Sequence, residues 1–451
     1  MKTPGVWTGF AKYGIVCLLA GISVSYSCSS DKLQPEIRPQ LLWHWESSSF
    51  PNSEDVMVSG PATDADGKIV CITLEPLRGK KIDDKSVKAG CILVLDGATG
   101  NLLEKIEYDL AFVRPATIPE YPSVAATVIS FNDRSYFPSL CIPKGEDKVL
   151  LVARWIRLTA RVYERKTKKV LGEFQLTPQL VEVNDANEKR WLRPTVFLIG
   201  ERAYCFNPVR LSRPNREYER IEYDLLELTP EDNQAPAKKL LSFSADRETT
   251  IRNFFNAYQD WDDQLLTWLH MYEGKCYITS YNPETRDFTT LAEGKKEDFD
   301  YLRSLHVYTA HECIYDRLRG RILALGPDLR GAKLSEDKFL QSLGLGKAQP
   351  EVLWRHPTSP ILPSPILTRH PRKRYLGIDV VYIKKHFFDI MILHADTLKT
   401  IYRWRERGDH KGMRFCRNND KLFVVSVIYG EHSSKVVVKC YRVAYPSNGQ
   451  Q

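Results

Sequence analysis

The sequence predicts an all-β fold, a single propeller of four-stranded sheets, from three observations. Strand–turn–strand units recur along the chain. Aromatic content is 11%, with 9 Trp and 22 Tyr, and flat rings pack well on a pleated surface. The chain ends also offer complementary strands, three without a fourth near the C-terminus and an orphan, residues 40–45 (QLLWHW), near the N-terminus. A length of 451 residues ordinarily suggests two or three domains, but a propeller grows by adding sheets round one axis and reaches this size as one closed unit.

The most informative repeat is residues 91–109, CILVLDGATGNLLEKIEYD. An apolar strand ends at Leu95-Asp96, Gly97-Ala98-Thr99-Gly100 turns the chain, and a second strand returns over 102–108. Glycine supplies positive φ in such a turn, and Asp and Thr cap it through their side chains. This segment closely resembles the repeat of quinoprotein-like (PQQ-type) β-propellers, in which a strand ending in Leu-Asp is followed by Ala-Thr-Gly and another apolar strand. Weaker copies stand at 160–176, 223–243, 276–293 and 388–404, with turns such as Asn282-Pro283-Glu284-Thr285 and Ala395-Asp396-Thr397. Upstream of them lie further strands, at 68–74 after Asp64-Ala65-Asp66-Gly67, at 148–155 after Lys144-Gly145-Glu146-Asp147, and at 195–206 broken at Gly200-Glu201.

Four strands per unit is the blade of a propeller. The expected count is seven blades, at 54–109, 124–177, 194–245, 263–293, 305–356, 364–405, and 411–444 joined to 40–46; six or eight remain open. Pairing of the two ends would remove two exposed sheet edges. Two inserts read as helices, one carrying Ile251, Phe254, Phe255 and Tyr258, the other capped by Ser335 and carrying Phe339, Leu340 and Leu343.

The N-terminus reads as a secretory signal. Lys2 and Lys12 precede the apolar run 13–24, and Ser25-Tyr26-Ser27-Cys28 follows. The run is too short to span a bilayer core. Ser25-x-Ser27 fits ordinary cleavage; with Cys28 the same residues resemble a bacterial lipobox, whose cysteine carries the lipid. Ser25 stands where that motif prefers Leu, and Tyr26 is unusual there. The expected organisation is a signal peptide over 1–27, a tether over 28–39, the propeller over 40–446 and a tail over 447–451, with lipidation at Cys28 and an exported, periplasmic or cell-surface, membrane-anchored location; the alternative is a secreted soluble protein.

Net charge is +8 and the basic clusters, at 165–169 and 369–374, are short and fall in turns. No basic stripe with interleaved aromatics marks a nucleic-acid surface. Eight cysteines follow Cys28, and an exported chain meets an oxidising compartment. Cys71 with Cys91, and Cys416 with Cys440, are candidate pairs; the alternative is that each is a small buried hydrophobe. There is no Cys-x-x-Cys.

Three constellations are candidates for chemistry. His311 and Cys313 fall on one strand face, with His306 and Glu312 on the other, and thiolate with imidazole suits zinc. Asp64-x-Asp66-Gly67 resembles the start of a calcium loop without its downstream Glu. Trp261-Asp262-Asp263 with His270 offers paired carboxylates. Hairpin turns, surface loops and structural residues account for all three. The catalytic quinoproteins are known for an adjacent-cysteine disulfide, and no two cysteines are adjacent here. The family resemblance therefore implies architecture without quinone chemistry, and no cofactor, metal or catalytic residue is assigned. The expected role is a non-catalytic envelope scaffold that binds other proteins, similar to the propeller subunit of the outer-membrane protein assembly machinery in architecture and anchoring alone. The alternatives are an enzyme or small-ligand sensor at the channel mouth, or a structural protein.

Overall fold

The computed structural model describes residues 36–51, 54–78, 90–109, 139–143, 145, 147–154, 158–176, 179–183, 188–192, 194–212, 220–228, 237–246, 265–298, 313–316, 320–327, 338–343, 351–355, 367–370, 375–380, 387–394, 400–408, 414–418, 420–430 and 433–443. The expected signal segment with Cys28, the helix expected around Ile251 and the expected C-terminal tail lie outside them.

The chain opens with β1 (Gln40–Glu46) and β2 (Phe50–Pro51). Blade one follows as β3 (Glu54–Thr63), β4 (Ile69–Arg78), β5 (Gly90–Asp96) and β6 (Leu102–Tyr108). Blade two is β7 (Ser139–Cys141), β8 (Lys148–Arg154), β9 (Leu158–Glu164) and β10 (Val170–Leu176). A separate hairpin, β11 (Gln179–Val183) with β12 (Glu188–Leu192), precedes blade three: β13 (Thr195–Ile199), β14 (Arg202–Ser212), β15 (Arg220–Glu227) and β16 (Lys238–Asp246). Blade four shows three strands among the described residues, β17 (Leu266–Tyr272), β18 (Lys275–Tyr281) and β19 (Phe288–Lys295). Blade five is β20 (Cys313–Asp316), β21 (Arg321–Pro327), β22 (Lys338–Leu343) and β23 (Glu351–Arg355). Blade six is β24 (Leu367–His370), β25 (Tyr375–Val380), β26 (Phe387–His394) and β27 (Thr400–Arg407). Blade seven runs β28 (Arg414–Asn418), β29 (Lys421–Tyr429) and β30 (Ser433–Arg442), and takes β1 as its outer strand.

The pairings are antiparallel throughout, and one irregularity marks the repeat. In each of the seven sheets of three or more strands among the described residues, the pairing of the last two strands carries a register shift: at Val94/Leu95, Val170/Gly172, Leu225/Leu226, Ile278/Thr279, Leu340/Gln341, Ile392/Leu393 and, in β1 against β30, Leu41/Trp43. A bulge there adds twist to the outer strand. The shared position identifies β18 and β19 as the last two strands of blade four, and β1 as a true fourth strand of blade seven. The first strands of successive sheets lie side by side, β28 on β3, β3 on β7, β7 on β13 and β20 on β24, as expected of strands that line a common axis.

The core lies between sheets. Trp43, Val58, Ile72, Leu93, Phe423, Val425 and Val438 join blade seven to blade one. Equivalent clusters join one to two, two to three, three to four and six to seven. Sheets covered on both faces read as continuous apolar runs: all but the last residue of β5 (GCILVLD) is buried.

Two expectations change. The helix expected after Ser335 is strand β22, which pairs Leu340 with Leu325 and Leu343 with Ile322. A run of apolar residues this short fits either period, and pairing with β21 decides it. The candidate disulfides are also not formed: Cys71, Cys91, Cys416 and Cys440 are free and buried. Cys71 packs between blades one and two while Cys91 packs between seven and one, so they face opposite sides of one sheet. Cys416 and Cys440 both pair with Phe423 from either side, which separates them by two strand spacings, about 10 Å, beyond disulfide reach.

The Cys91–Asp109 hairpin shows why its turn needs glycine. Gly100 has φ +76°, and a Cβ there would lie 2.5 Å from the Trp43 ring. Gly97 serves close approach, since its Cβ would lie 2.0 Å from the Gly67 carbonyl oxygen. Trp43, 7% exposed, therefore lies directly on the blade-one turn. Trp43→Ala is expected to cost about 3–5 kcal/mol in a denaturant melt, and Trp43→Phe distinctly less; equal losses for the two would show that the packed ring volume is not what matters.

Candidate functional site

Polar side chains at the blade junctions tie neighbouring sheets together. Asn418, 3% exposed, donates through Nδ2 to Thr63 Oγ1 at 3.1 Å and to the carbonyl oxygens of Asp64 and Ala65 at 2.7 and 3.2 Å. Lys421 Nζ donates to the carbonyls of Gly67 and Gly97, both at 3.2 Å, and Trp43 Nε1 donates to Gly97 at 3.1 Å. Between blades one and two, Arg165 grips Glu104 with two bonds, Nε to Oε2 at 3.0 Å and Nη2 to Oε1 at 2.9 Å. Such a fork is the strong form of a charged hydrogen bond. Between blades six and seven the buried Glu406 accepts from Trp404 Nε1 at 3.0 Å, Lys439 Nζ at 2.6 Å and the Tyr441 hydroxyl. Burial and the adjacent Glu406 push the Tyr441 phenol up from its ordinary value.

A different cluster sits between blades three and four. In β17 the alternation of LTWLHMY puts Trp268 and His270 on one face, opposite Thr279 and Tyr277 of β18. The rings crowd there: Trp268 meets Phe206 at 5.3 Å, Phe243 at 5.2 Å and Phe288 at 5.7 Å between centroids, and His270 stacks on Tyr277 at 5.6 Å. Three buried polar atoms on this face, Trp268 Nε1, His270 Nδ1 and Thr279 Oγ1, have no hydrogen-bond partner among the described residues. Buried polar groups are almost always satisfied, so such atoms mark a place for a water or a small polar molecule. Burial holds the His270 imidazole well below its ordinary value, at about 4, so it is neutral at physiological pH and offers one donor and one acceptor. The arrangement can stack and hydrogen-bond a guest.

The sequence-flagged residues fall as follows. Asp64-x-Asp66-Gly67 is a hairpin turn: Asp64 Oδ1 accepts from the Ile69 amide at 2.8 Å, and the Gly67 amide donates to the Asp64 carbonyl at 3.1 Å. His270 is inside the aromatic cluster, while Trp261, Asp262 and Asp263 lie outside the described residues. His306, His311 and Glu312 also lie outside them, and Cys313 begins β20. Among the described residues no group of three or more metal-type ligands comes together, and no helix is long and apolar enough to cross a membrane. Burial pushes the Cys71 and Cys276 thiols up to about 12. Trp268 and Thr279 were not flagged by the sequence; period two links Trp268 to His270, but only the β17–β18 register brings Thr279 to them.

No protein-family model matches the chain, and no curated protein matches it. Among solved structures, the chain is similar to an acylaminoacyl peptidase of Pyrococcus horikoshii, at 10% identity over 82% of this chain and 49% of that chain, with a TM-score of 0.40. It is similar to an oligogalacturonate lyase in complex with manganese, at 9% identity over 89% and 97%, TM-score 0.42. It is similar to TolB of Acinetobacter baumannii, at 8% identity over 85% and 78%, TM-score 0.30. The chain spans about half the length of the peptidase. At these similarities the fold assignment rests on this chain's own sheets.

A buried histidine with a lowered value destabilises on acidification, because the unfolded chain takes up the proton first, near 6.5, and the folded chain resists it down to about 4. The His270 contribution is present above pH 6.5 and is lost as pH falls through that window, by roughly 3 kcal/mol at most. His270→Phe is expected to flatten this part of the stability–pH profile, measured by urea unfolding; an unchanged slope would place the acid sensitivity elsewhere.

Proposed function

We propose that the chain is an exported, lipid-anchored β-propeller that serves the cell envelope as a non-catalytic, protein-binding scaffold, held to a membrane through Cys28. One observation carries the reading. The tether over 28–39 immediately precedes β1 in sequence, and β1 is hydrogen-bonded along its length to β30 while Trp43 reaches across to blade one. A pull on the N-terminal anchor is then borne by the junction of blades seven and one. The bonds between blades support the same reading, because rigid sheets present loops for binding. The partners are envelope proteins, with no nucleic acid and no cofactor required. The sensor alternative is favoured by one observation, the unsatisfied Trp268–His270–Thr279 face between blades three and four.

Metabolic labelling with radioactive palmitate tests the anchor, and crosslinking in intact cells tests the scaffold. The wild-type chain is expected to carry label, float with membranes and crosslink reproducibly to one envelope protein. Cys28→Ala is expected to lose label, membrane association and most of the crosslink. A labelled chain with no crosslinked partner would overturn the scaffold; an unlabelled wild-type chain would overturn the anchor.

A further inference from the structure

We propose that one end of the propeller rests on an anionic lipid surface through a rim of separated apolar side chains flanked by lysines; the inference rests on the lipid-anchored reading above. Six large apolar side chains are exposed among the described residues: Ile37, Leu41, Leu102, Leu103, Val170 and Phe288, at 46–50%. Five of them, from four blades, occupy one structural position. Leu102 and Leu103 open β6, Val170 opens β10, Phe288 opens β19, and Leu41 is the second residue of β1. Each of these five begins the outer strand of its blade, beside the turn that joins third to fourth strands or, in blade seven, beside the end of β30; Ile37 precedes β1 and bridges to Arg403 inside β27. Further along β6 the apolar residues, Ile106 and Tyr108, are buried.

Bonds between turns show that these strand starts share one end of the molecule. The Gly97 amide, in the second turn of blade one, donates to the Lys68 carbonyl beside the first turn at 2.6 Å. Lys421, after the first turn of blade seven, reaches Gly67 and Gly97. Arg165, in the turn before Val170, holds Glu104 next to Leu103. At the opposite end, Gly274 between β17 and β18 donates to Asp246 at the end of β16, at 3.2 Å, which sets blades three and four in the same sense.

Three features select a bilayer as the occupant. First, among the described residues the exposed groups at the strand starts come from four different blades at one end, and a planar surface can meet all of them at once. Second, β1 begins at this end: Ile37 pairs antiparallel with Arg403 inside β27 and leads up to Gln40, and the twelve residue steps from Cys28 to Gln40 reach at most about 40 Å when extended. Lipidation at Cys28 therefore keeps this rim within that distance of a membrane. Third, Lys166, Lys168 and Lys169 stand exposed in the turn before Val170, whereas the turn before Phe288 is net acidic, with Glu284 and Asp287 against Arg286, so the basic contact is concentrated at blade two. Long basic side chains lay their stems along the apolar zone and place their charge among anionic headgroups. An acyl anchor and a basic patch together hold a protein more firmly than either alone.

The test uses the full lipidated chain reconstituted into phosphatidylcholine vesicles with and without phosphatidylglycerol. Seven native thiols, Cys71, Cys91, Cys141, Cys205, Cys276, Cys416 and Cys440, are buried, so in a Cys313→Ser background an introduced cysteine can be labelled selectively with an environment-sensitive fluorophore. Labels at Leu103→Cys and Val170→Cys are expected to brighten and shift to the blue on acidic vesicles, while a label at Lys275→Cys, at the opposite end of blade four, stays silent. Charge reversal of Lys166, Lys168 and Lys169 is expected to lower the docked-to-undocked ratio by at least about five-fold per lysine. Protein that floats with vesicles but whose Leu103 and Val170 labels stay silent would overturn the rim while leaving the anchor intact. Wild-type protein that fails to float would overturn the anchored reading itself.

Discussion

A run of sheets packed face to face has a first and a last member, and in this protein the pairing of β1 with β30 joins them. Without β1, blade seven would end on an open β30 and the Trp43 site on the blade-one turn would be empty. With it, the outer strand of the last sheet is supplied by the residues that immediately precede the first sheet. The chain then continues through β2, also paired with β30, into β3. Local sequence elsewhere builds hairpins, but this contact is non-local and makes blades seven and one stand or fall together.

Division of labour between apolar and polar contacts follows from that geometry. Apolar side chains fill the spaces between sheets, where both faces of each central strand are covered. The polar ties cluster at strand ends, where backbone carbonyls of turns point across to the next sheet and need donors. Asn418 and Lys421 supply them, and Arg165 adds a side-chain tie to the Glu104 carboxylate. Losing one of these donors would leave buried acceptors unsatisfied, which costs more than the bond itself contributes. The face bearing Trp268, His270 and Thr279 departs from this pattern, having apolar crowding and polar atoms together with no tie among the described residues.

Much of the fold was legible from residues. The β5–β6 hairpin was readable because Asp96, Thr99 and Gly100 each fill a position that few other residues could. Asp96 Oδ1 accepts from the Thr99 and Ala98 amides at 2.7 and 2.9 Å, and Gly100 takes the positive φ. Strand β29 begins and ends where its apolar run does, and the orphan QLLWHW did become the outer strand of blade seven. What escaped was decided by partners distant in sequence. Residues 338–343 are a strand because β21 pairs with them. The β11–β12 hairpin lies outside the four-strand rhythm and was not anticipated. The cysteines could not be paired or separated without knowing which sheet face each occupies. Trp268 and Thr279 meet only through the β17–β18 register, so the candidate site was half visible, in His270 alone.

Native-state hydrogen exchange of the β1 and β30 amides tests the central claim most directly. If the β1–β30 pairing holds the last sheet to the first, amides of both strands exchange only through global unfolding, with protection equal to that of β5 and β29. Amides of β1 that exchange orders of magnitude faster than those of β29, in a protein otherwise fully folded, would show that the N-terminal strand is an ornament on an already complete sheet, and would contradict the account.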